Sequence, residues 1–382
     1  MLERAQPWTP DRSRLLFAWL VERRVVLAWW AGSRAIVVAG ILVIHWLRAP
    51  RGYFGHAIFA HILGPLEAWD GIWYRAVAAR GYLLVPGHQS DPAFFPFYPL
   101  LLKLVGLTGM SVGAAGVVLS NLLFAGALLA FDALGHELFP DALARRATLL
   151  LAVFPTGYVC SMLYPESLVL LAFALAGLFA ARGRWLACAA AAAVAALARP
   201  EGVLLVLPIA AALASQWRRL DPDQRGRGIA AVLSAPAAAI SFPVYLWWTL
   251  HDPFAWSEAQ QAWGRSFRIG GLWHSLSRMG DELSRQPWAA RDIGFGAVTL
   301  LLLAAAWRAG APRTWILLGA LLVVVPLGSG SFNSDARFAL LALPAYWGLA
   351  WLASTRAVFT LLALLCAGLL AAATVTLPLV FP

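Results

Sequence analysis

Eleven apolar runs fall at roughly 25–47, 111–131, 147–163, 166–181, 185–198, 201–216, 229–250, 292–308, 314–328, 338–353 and 357–380. Nothing constrains the fold of this chain more. A run of this length and polarity is stable as a helix in lipid, where every backbone amide must find its partner within the segment. Only 13% of the 382 residues are charged and 61% are hydrophobic, whereas a soluble domain carries about 25% charged residues. A water-soluble globular enzyme is therefore excluded. A β-barrel is excluded as well, because it would show short alternating strands. The expectation is an all-α polytopic membrane protein of about eleven transmembrane helices, with residues 1–382 forming a single transmembrane domain.

The net charge of +10 does not point to nucleic acid, because the basic residues are scattered between apolar runs. In a membrane protein they set orientation, through the excess of Lys and Arg in cytoplasmic loops. The strongest marker is the basic turn 217–228, WRRLDPDQRGRG. It predicts a cytoplasmic N-terminal tail over 1–24, a long first outer loop over 48–95 and a second over 251–291. No cleavable signal peptide is expected, since the first 24 residues are polar and Arg-rich. Cys160, Cys188 and Cys366 lie inside apolar runs at unrelated spacings, which supports neither a disulfide framework nor a zinc site.

With that orientation the polar clusters gather on the outer face. They are Glu67 to Asp70, Tyr164 to Glu166, Arg199 to Glu201, the loop His251–Arg291, and Ser331 to Arg337. Asp70 stands at the head of an amphipathic helix expected over 71–80, whose Ile72, Trp73, Val77 and Ala78 could rest on the membrane surface. Its carboxylate suits a general base, and equally an N-cap. Glu67 reads more naturally as a solvated charge. Arg199, Arg265 and Arg337 are outer cations, while Arg75 and Arg80 are expected to face headgroups. A charge at the end of a span is costly unless it is paired or functional, so Arg199 is open to pairing with Glu166 or Glu201. Those two acids also stand in first helical turns, where a carboxylate complements the helix dipole. Trp256, Trp263 and Trp273 suit either sugar stacking or anchorage at the interface. Phe94, Phe95, Phe97 and Tyr98 suit a lipid-facing hinge better than a prenyl groove. His251 and Asp252 lack a second His at ligating spacing, so no metal is supported. His56, His61 and His88 read as loop residues.

The stretches WDGIWYRAVAARGY (69–82) and FFPFYPLL (94–101) resemble the first-loop signature of PIG-V-like mannosyltransferases, the relatives of GPI mannosyltransferase II. Met162–Leu168, Ala198–Gly202, Asp252–Arg265 and Asp335–Phe338 ahead of Pro344 continue the likeness in order. The resemblance implies a GT-C glycosyltransferase of the cell membrane, active on its extracytoplasmic face. It would transfer mannose, with inversion, from polyprenyl-phosphate-mannose to a hydroxyl of a glycolipid or glycan acceptor. Asp70 would be the base. Arg337, Arg265 and Arg199 would bind the donor phosphate, and Glu166, Glu201, Tyr164, Trp69, Trp73 and Trp263 the sugar or acceptor. No cofactor is firmly implied beyond the lipid-linked donor, and metal dependence stays open. The competing readings are a GT-C enzyme using another polyprenyl-phosphate sugar, and a lipid or small-molecule transporter or flippase. A transporter would place ionisable residues inside its spans, where Arg34 is the main case.

Overall fold

A computed structural model of the chain describes residues 12–47, 61–266, 270–285, 288–330 and 332–377. Outside these residues lie the first eleven residues of the expected cytoplasmic tail, His56 with the start of the first loop, Ser331, and the end of the last apolar run. The described residues form helices and turns, with no strand among them. The chain is an all-α polytopic membrane protein.

Six helices among the described residues are long and apolar enough to cross a membrane: Arg23–Trp46, Val112–Leu138, Pro200–Arg219, Pro222–Leu250, Ala289–Arg308 and Arg356–Val375. A bent pair, Pro155–Ser161 and Glu166–Ala181, brings the number to seven if counted as one span. With that pair counted as one span, four of the eleven expected spans are not formed separately, for two physical reasons. The runs 185–198 and 314–328 fold as Trp185–Ala198 and Arg313–Gly328, of 14 and 16 residues; about 20 are needed to cross the hydrocarbon core. The other two are broken at proline. Within 147–163 the helix Asp141–Ala152 stops before Pro155, and a 3-10 turn, Pro155–Ser161, follows. It meets Glu166–Ala181 at 101°. Near Pro344 the run 338–353 divides into Asp335–Leu341 and Leu343–Leu352. Proline cannot donate the backbone bond that a continuous helix needs at these points.

Capping fixes several helix starts. Ser111 Oγ accepts from Ala114 N at 3.3 Å, Thr355 Oγ1 accepts from Val358 N at 3.2 Å, and Asp221 with Gln224 forms a reciprocal capping box. Small residues then bring helices close, as lipid-embedded packing requires. A Cβ at Gly348 would lie 2.0 Å from the Leu302 carbonyl oxygen, and one at Gly177 would lie 2.5 Å from the Trp315 ring. The buried centre holds Trp347 stacked on Phe131 at 5.6 Å, with Phe124 and Phe173 nearby in the same core. Outward rows such as Leu361, Leu364, Leu365 and Leu369 remain exposed, as expected of a surface that meets lipid.

These breaks position the site. The turn after Ser161 delivers Tyr164 and Glu166, the short helix Asp335–Leu341 delivers Arg337, and the 3-10 turn Pro200–Leu205 follows Arg199.

Candidate active site

Asp70 opens the helix Asp70–Arg80, so the expected helix is present and one residue longer. The capping role is not. Trp69 is the N-cap, and the Asp70 carboxylate turns instead to Arg337, whose Nη1 donates to Asp70 Oδ2 at 2.5 Å. Asp70 N donates to the Tyr164 hydroxyl at 3.1 Å. Trp69 holds φ 59° and Ser334 holds φ 70°, left-handed values that are uncommon outside glycine. Each stands directly before a helix that carries a site residue. Strain of this kind persists where the surrounding structure enforces it.

Arg337 is the hub. Its Nε donates to Glu166 Oε1 at 2.8 Å and its Nη2 lies 2.7 Å from the same oxygen. The guanidinium also sits over the Tyr164 ring at 4.3 Å. Arg199 Nη1 donates to Glu166 Oε1 at 2.7 Å, and its Nε donates to Glu201 Oε2 at 3.1 Å. Glu166 thus bridges two arginines, while its Oε2 is buried and has no hydrogen-bond partner among the described residues. Pairing of Arg199 with both glutamates, one of the two sequence readings, is what the structure contains.

Arg265 differs from both. Its Nη2 donates to the Asn333 carbonyl at 2.6 Å and its Nη1 to Ser329 Oγ at 3.4 Å. No carboxylate lies within salt-bridge distance of it among the described residues. Arg265 and Arg199 both face the Phe338 ring, at 5.4 and 4.8 Å. Burial pulls the Arg265 guanidinium below its ordinary value, against the raising influence of Asp335 and Glu201. Arginine retains its charge through such a shift.

A cavity of about 650 Å³ joins these groups. Asp70, Arg199, Glu201, Trp263, Arg265 and Arg337 line it, with Phe94, Phe95, Val203, Leu204 and Trp256 on an apolar side. Glu166 and Tyr164 stand behind Arg337 rather than on the wall. Trp73 backs Trp263 edge to face at 5.4 Å, and Trp69 points elsewhere, its Nε1 donating to the Leu377 carbonyl at 3.3 Å. Of the residues expected to meet sugar or acceptor, Trp263 and Glu201 line the cavity, and Trp69, Trp73, Tyr164 and Glu166 do not.

Several further expectations are corrected. Phe94, Phe95 and Tyr98 are buried, as cavity wall and core rather than a lipid-facing hinge. Val77 and Ala78 are also buried, so the helix Asp70–Arg80 packs into the protein and leaves only Ile72 of that face exposed. Arg75 pairs with Glu67 at 2.8 Å and Arg80 with Asp91 at 2.6 Å, so neither arginine is a simple headgroup cation and Glu67 is not free in solvent. His251 closes the helix Pro222–Leu250, and Asp252 Oδ1 accepts from Phe254 N at 2.8 Å. No cluster of three or more His, Cys, Asp or Glu suited to a metal occurs among the described residues.

The sequence pattern assigns Asp335 no site role of its own. It is buried with both carboxyl oxygens lacking a hydrogen-bond partner among the described residues. Burial and neighbouring Asp292 push its carboxyl up to about 8, against the opposing pull of Arg265. Asp292 Oδ2 accepts from Ser334 N at 3.0 Å, which ties down the entry to the Arg337 helix. The sequence held one signal for this pair: acids beside the ends of apolar runs.

No family model matches the chain, and no curated protein matches it. Among solved structures, the chain is similar to the Archaeoglobus fulgidus oligosaccharyltransferase in its apo form. The two are 12% identical with a TM-score of 0.44, over 90% of this chain and 56% of that one. It is also similar to archaeal oligosaccharyltransferase AglB from Archaeoglobus fulgidus in complex with an inhibitory peptide and a dolichol-phosphate. That match is 13% identical with a TM-score of 0.46, over 94% of this chain and 56% of that one. The chain spans just over half the length of these structures.

Proposed function

We propose that the chain is an integral-membrane glycosyltransferase of the GT-C class that takes a sugar from a polyprenyl-phosphate donor, with mannose as the sugar. One observation carries the reading: a carboxylate, Asp70, and an arginine without a carboxylate partner, Arg265, face the same cavity, which also has an apolar side. An acid that accepts a proton, a cation that accepts a phosphate and an apolar wall for a prenyl chain are the three things such a transfer needs.

The pattern of direct ion pairs supports a division of roles. Asp70, Glu166 and Glu201 pair directly with Arg199 and Arg337, so the three acids are engaged there and Arg265 is the arginine of the three with no carboxylate in direct contact among the described residues. Buried ions cost several kcal/mol each to desolvate, so this cation gains most from an incoming anion. The donor phosphate binds at Arg265, with Arg199 and Arg337 on the same wall. Asp70 takes the proton of the acceptor hydroxyl as its oxygen attacks the anomeric carbon. The bond to the phosphate oxygen breaks, its electron pair leaves with the phosphate, and the configuration inverts. Charge growing on the leaving phosphate is met by arginine, which binds phosphate with two parallel hydrogen bonds.

With the N-terminus cytoplasmic, this cavity faces the extracytoplasmic side and the acceptor is a glycolipid or glycan. The test is Asp70→Asn in folded, purified protein supplied with polyprenyl-phosphate-mannose. Loss of a general base lowers the rate by roughly 10²–10⁴-fold. Transfer by this variant at the wild-type rate would remove Asp70 from the chemistry.

A further inference from the structure

The second large loop contains two short helices, Gly271–Ser277 and Met279–Arg285, that behave as one. Across the junction, Arg278 N donates to the His274 carbonyl at 3.2 Å and Glu282 N donates to the Arg278 carbonyl at 3.0 Å, so the helical ladder is continued. The positions sort into three strips at the helical period. Gly271 and Ser275 face the protein. A Cβ at Gly271 would lie 2.0 Å from the Gly328 carbonyl oxygen, and Ser275 Oγ donates to the Leu327 carbonyl at 2.6 Å. Leu272, Leu276, Met279 and Leu283 follow the spacing i, i+4, i+7, i+11 and form a second strip, with Trp273 at its edge. All five are between 36% and 76% exposed. His274, Ser277, Arg278, Asp281 and Ser284 form the third, polar strip.

What covers the apolar strip follows from where the helix is tied. Its first part rests on Leu327 and Gly328, the end of Arg313–Gly328. The chain then enters Ala289–Arg308 through Trp288, whose Nε1 donates to Asn333 Oδ1 at 3.1 Å. Ala289–Arg308 and Arg313–Gly328 are antiparallel neighbours joined by a short turn, so Ala289 and Gly328 mark the same end of the bundle. One of the two is long and apolar enough to cross a membrane. A helix fastened at both of these points runs along the plane where the spanning helices leave the hydrocarbon, with its leucines unpartnered. An amphipathic helix in that plane buries its apolar face about 5–10 Å into the boundary between headgroups and acyl chains.

We propose that residues 271–285 form an interfacial helix lying on the bilayer surface at the site end of the bundle. Leu272, Leu276, Met279 and Leu283 enter the acyl region, and Trp273 sits at headgroup level, where tryptophan is enriched. The same loop carries Arg265, and Ser266 N donates to the Ser329 carbonyl at 2.8 Å. Bilayer contact at 271–285 therefore sets the height of the cavity wall relative to the lipid.

Spin labels test this without any assay of activity. Cys160, Cys188 and Cys366 are buried, so a label can be directed to Leu276→Cys, Leu283→Cys, Ser277→Cys or Ser284→Cys in the full chain. The protein is held in phosphatidylcholine–phosphatidylglycerol nanodiscs, and relaxation by oxygen is compared with relaxation by a water-soluble nickel chelate. The expected result is a shift toward oxygen at 276 and 283 and toward nickel at 277 and 284. Equal nickel access at all four positions overturns the proposal, because the strip then faces water. Labels at 276 and 283 shielded from both reagents also overturn it. Dipolar coupling lost on dilution with unlabelled protein would then identify a second copy as the cover, and its absence another part of the protein.

Discussion

Three guanidiniums face one cavity, and carboxylates pair directly with two of them. Removing Arg265 should therefore act on donor binding more than removal of an arginine already spent on Glu166. A hydrogen bond to a charged group contributes about 1.5–3 kcal/mol, so Arg265→Ala should weaken polyprenyl-phosphate binding by roughly ten- to a hundredfold. Titration of the folded variant with the lipid phosphate measures this, and unchanged affinity would move the phosphate elsewhere. The arginines and Asp70 were legible in the sequence because a charge in so apolar a chain is costly, and costly residues stand out. Their partners were not. That Arg337 joins Asp70 to Glu166, residues 267 and 171 positions away, depends on contacts no local pattern encodes. Arg34 shows the same limit: its Nη1 donates to the Gly157 carbonyl at 3.0 Å and to Ser161 Oγ at 2.8 Å. A cation that looked like a transporter residue satisfies a broken turn.

At the scale of elements, the site depends on helices that stop early. Pro155 and Pro344 interrupt runs that hydropathy alone reads as continuous; Arg337 reaches the cavity beside one interruption, and Tyr164 and Glu166 stand behind it beside the other. The prolines and Gly157 were visible as punctuation, but average apolarity hides them. The 3-10 turn Pro200–Leu205 is held against its neighbour by the absence of a side chain at Gly202, where a Cβ would lie 2.3 Å from the backbone of Ala195 and Ala196. Gly202→Ala cannot be relieved by rotating a side chain. It should destabilise the protein by about 1–3 kcal/mol, the usual cost of overpacking, and disturb the Arg199–Glu201 pair. Thermal unfolding in detergent checks the first effect, and a melting temperature equal to wild type would show that these helices can separate freely.

For the whole molecule, composition already required a helical membrane protein, and the structure has one with fewer full-length spans than apolar runs. Its buried acid makes stability depend on pH. The Asp335 carboxyl lies at about 8 when folded, against an ordinary 3.8. The folded state then holds a proton that the unfolded chain has released over the window between those values. Stability from this group is complete below about 4, falls as pH rises, and levels off above about 8. Asp335→Asn should flatten that dependence, as unfolding measured from pH 5 to pH 8 would show; an unchanged slope would place the titration in another group. Above pH 8 the ionised carboxylate would also offset Arg265, so donor affinity should decline there in the wild type and not in the variant.

The most direct test is product analysis with protein in sealed vesicles supplied with polyprenyl-phosphate-mannose and a glycan acceptor. The proposed activity predicts a new glycosidic bond with inverted anomeric configuration, formed by the wild type and lost in Asp70→Asn. Movement of the lipid across the bilayer with no glycosidic product would contradict it.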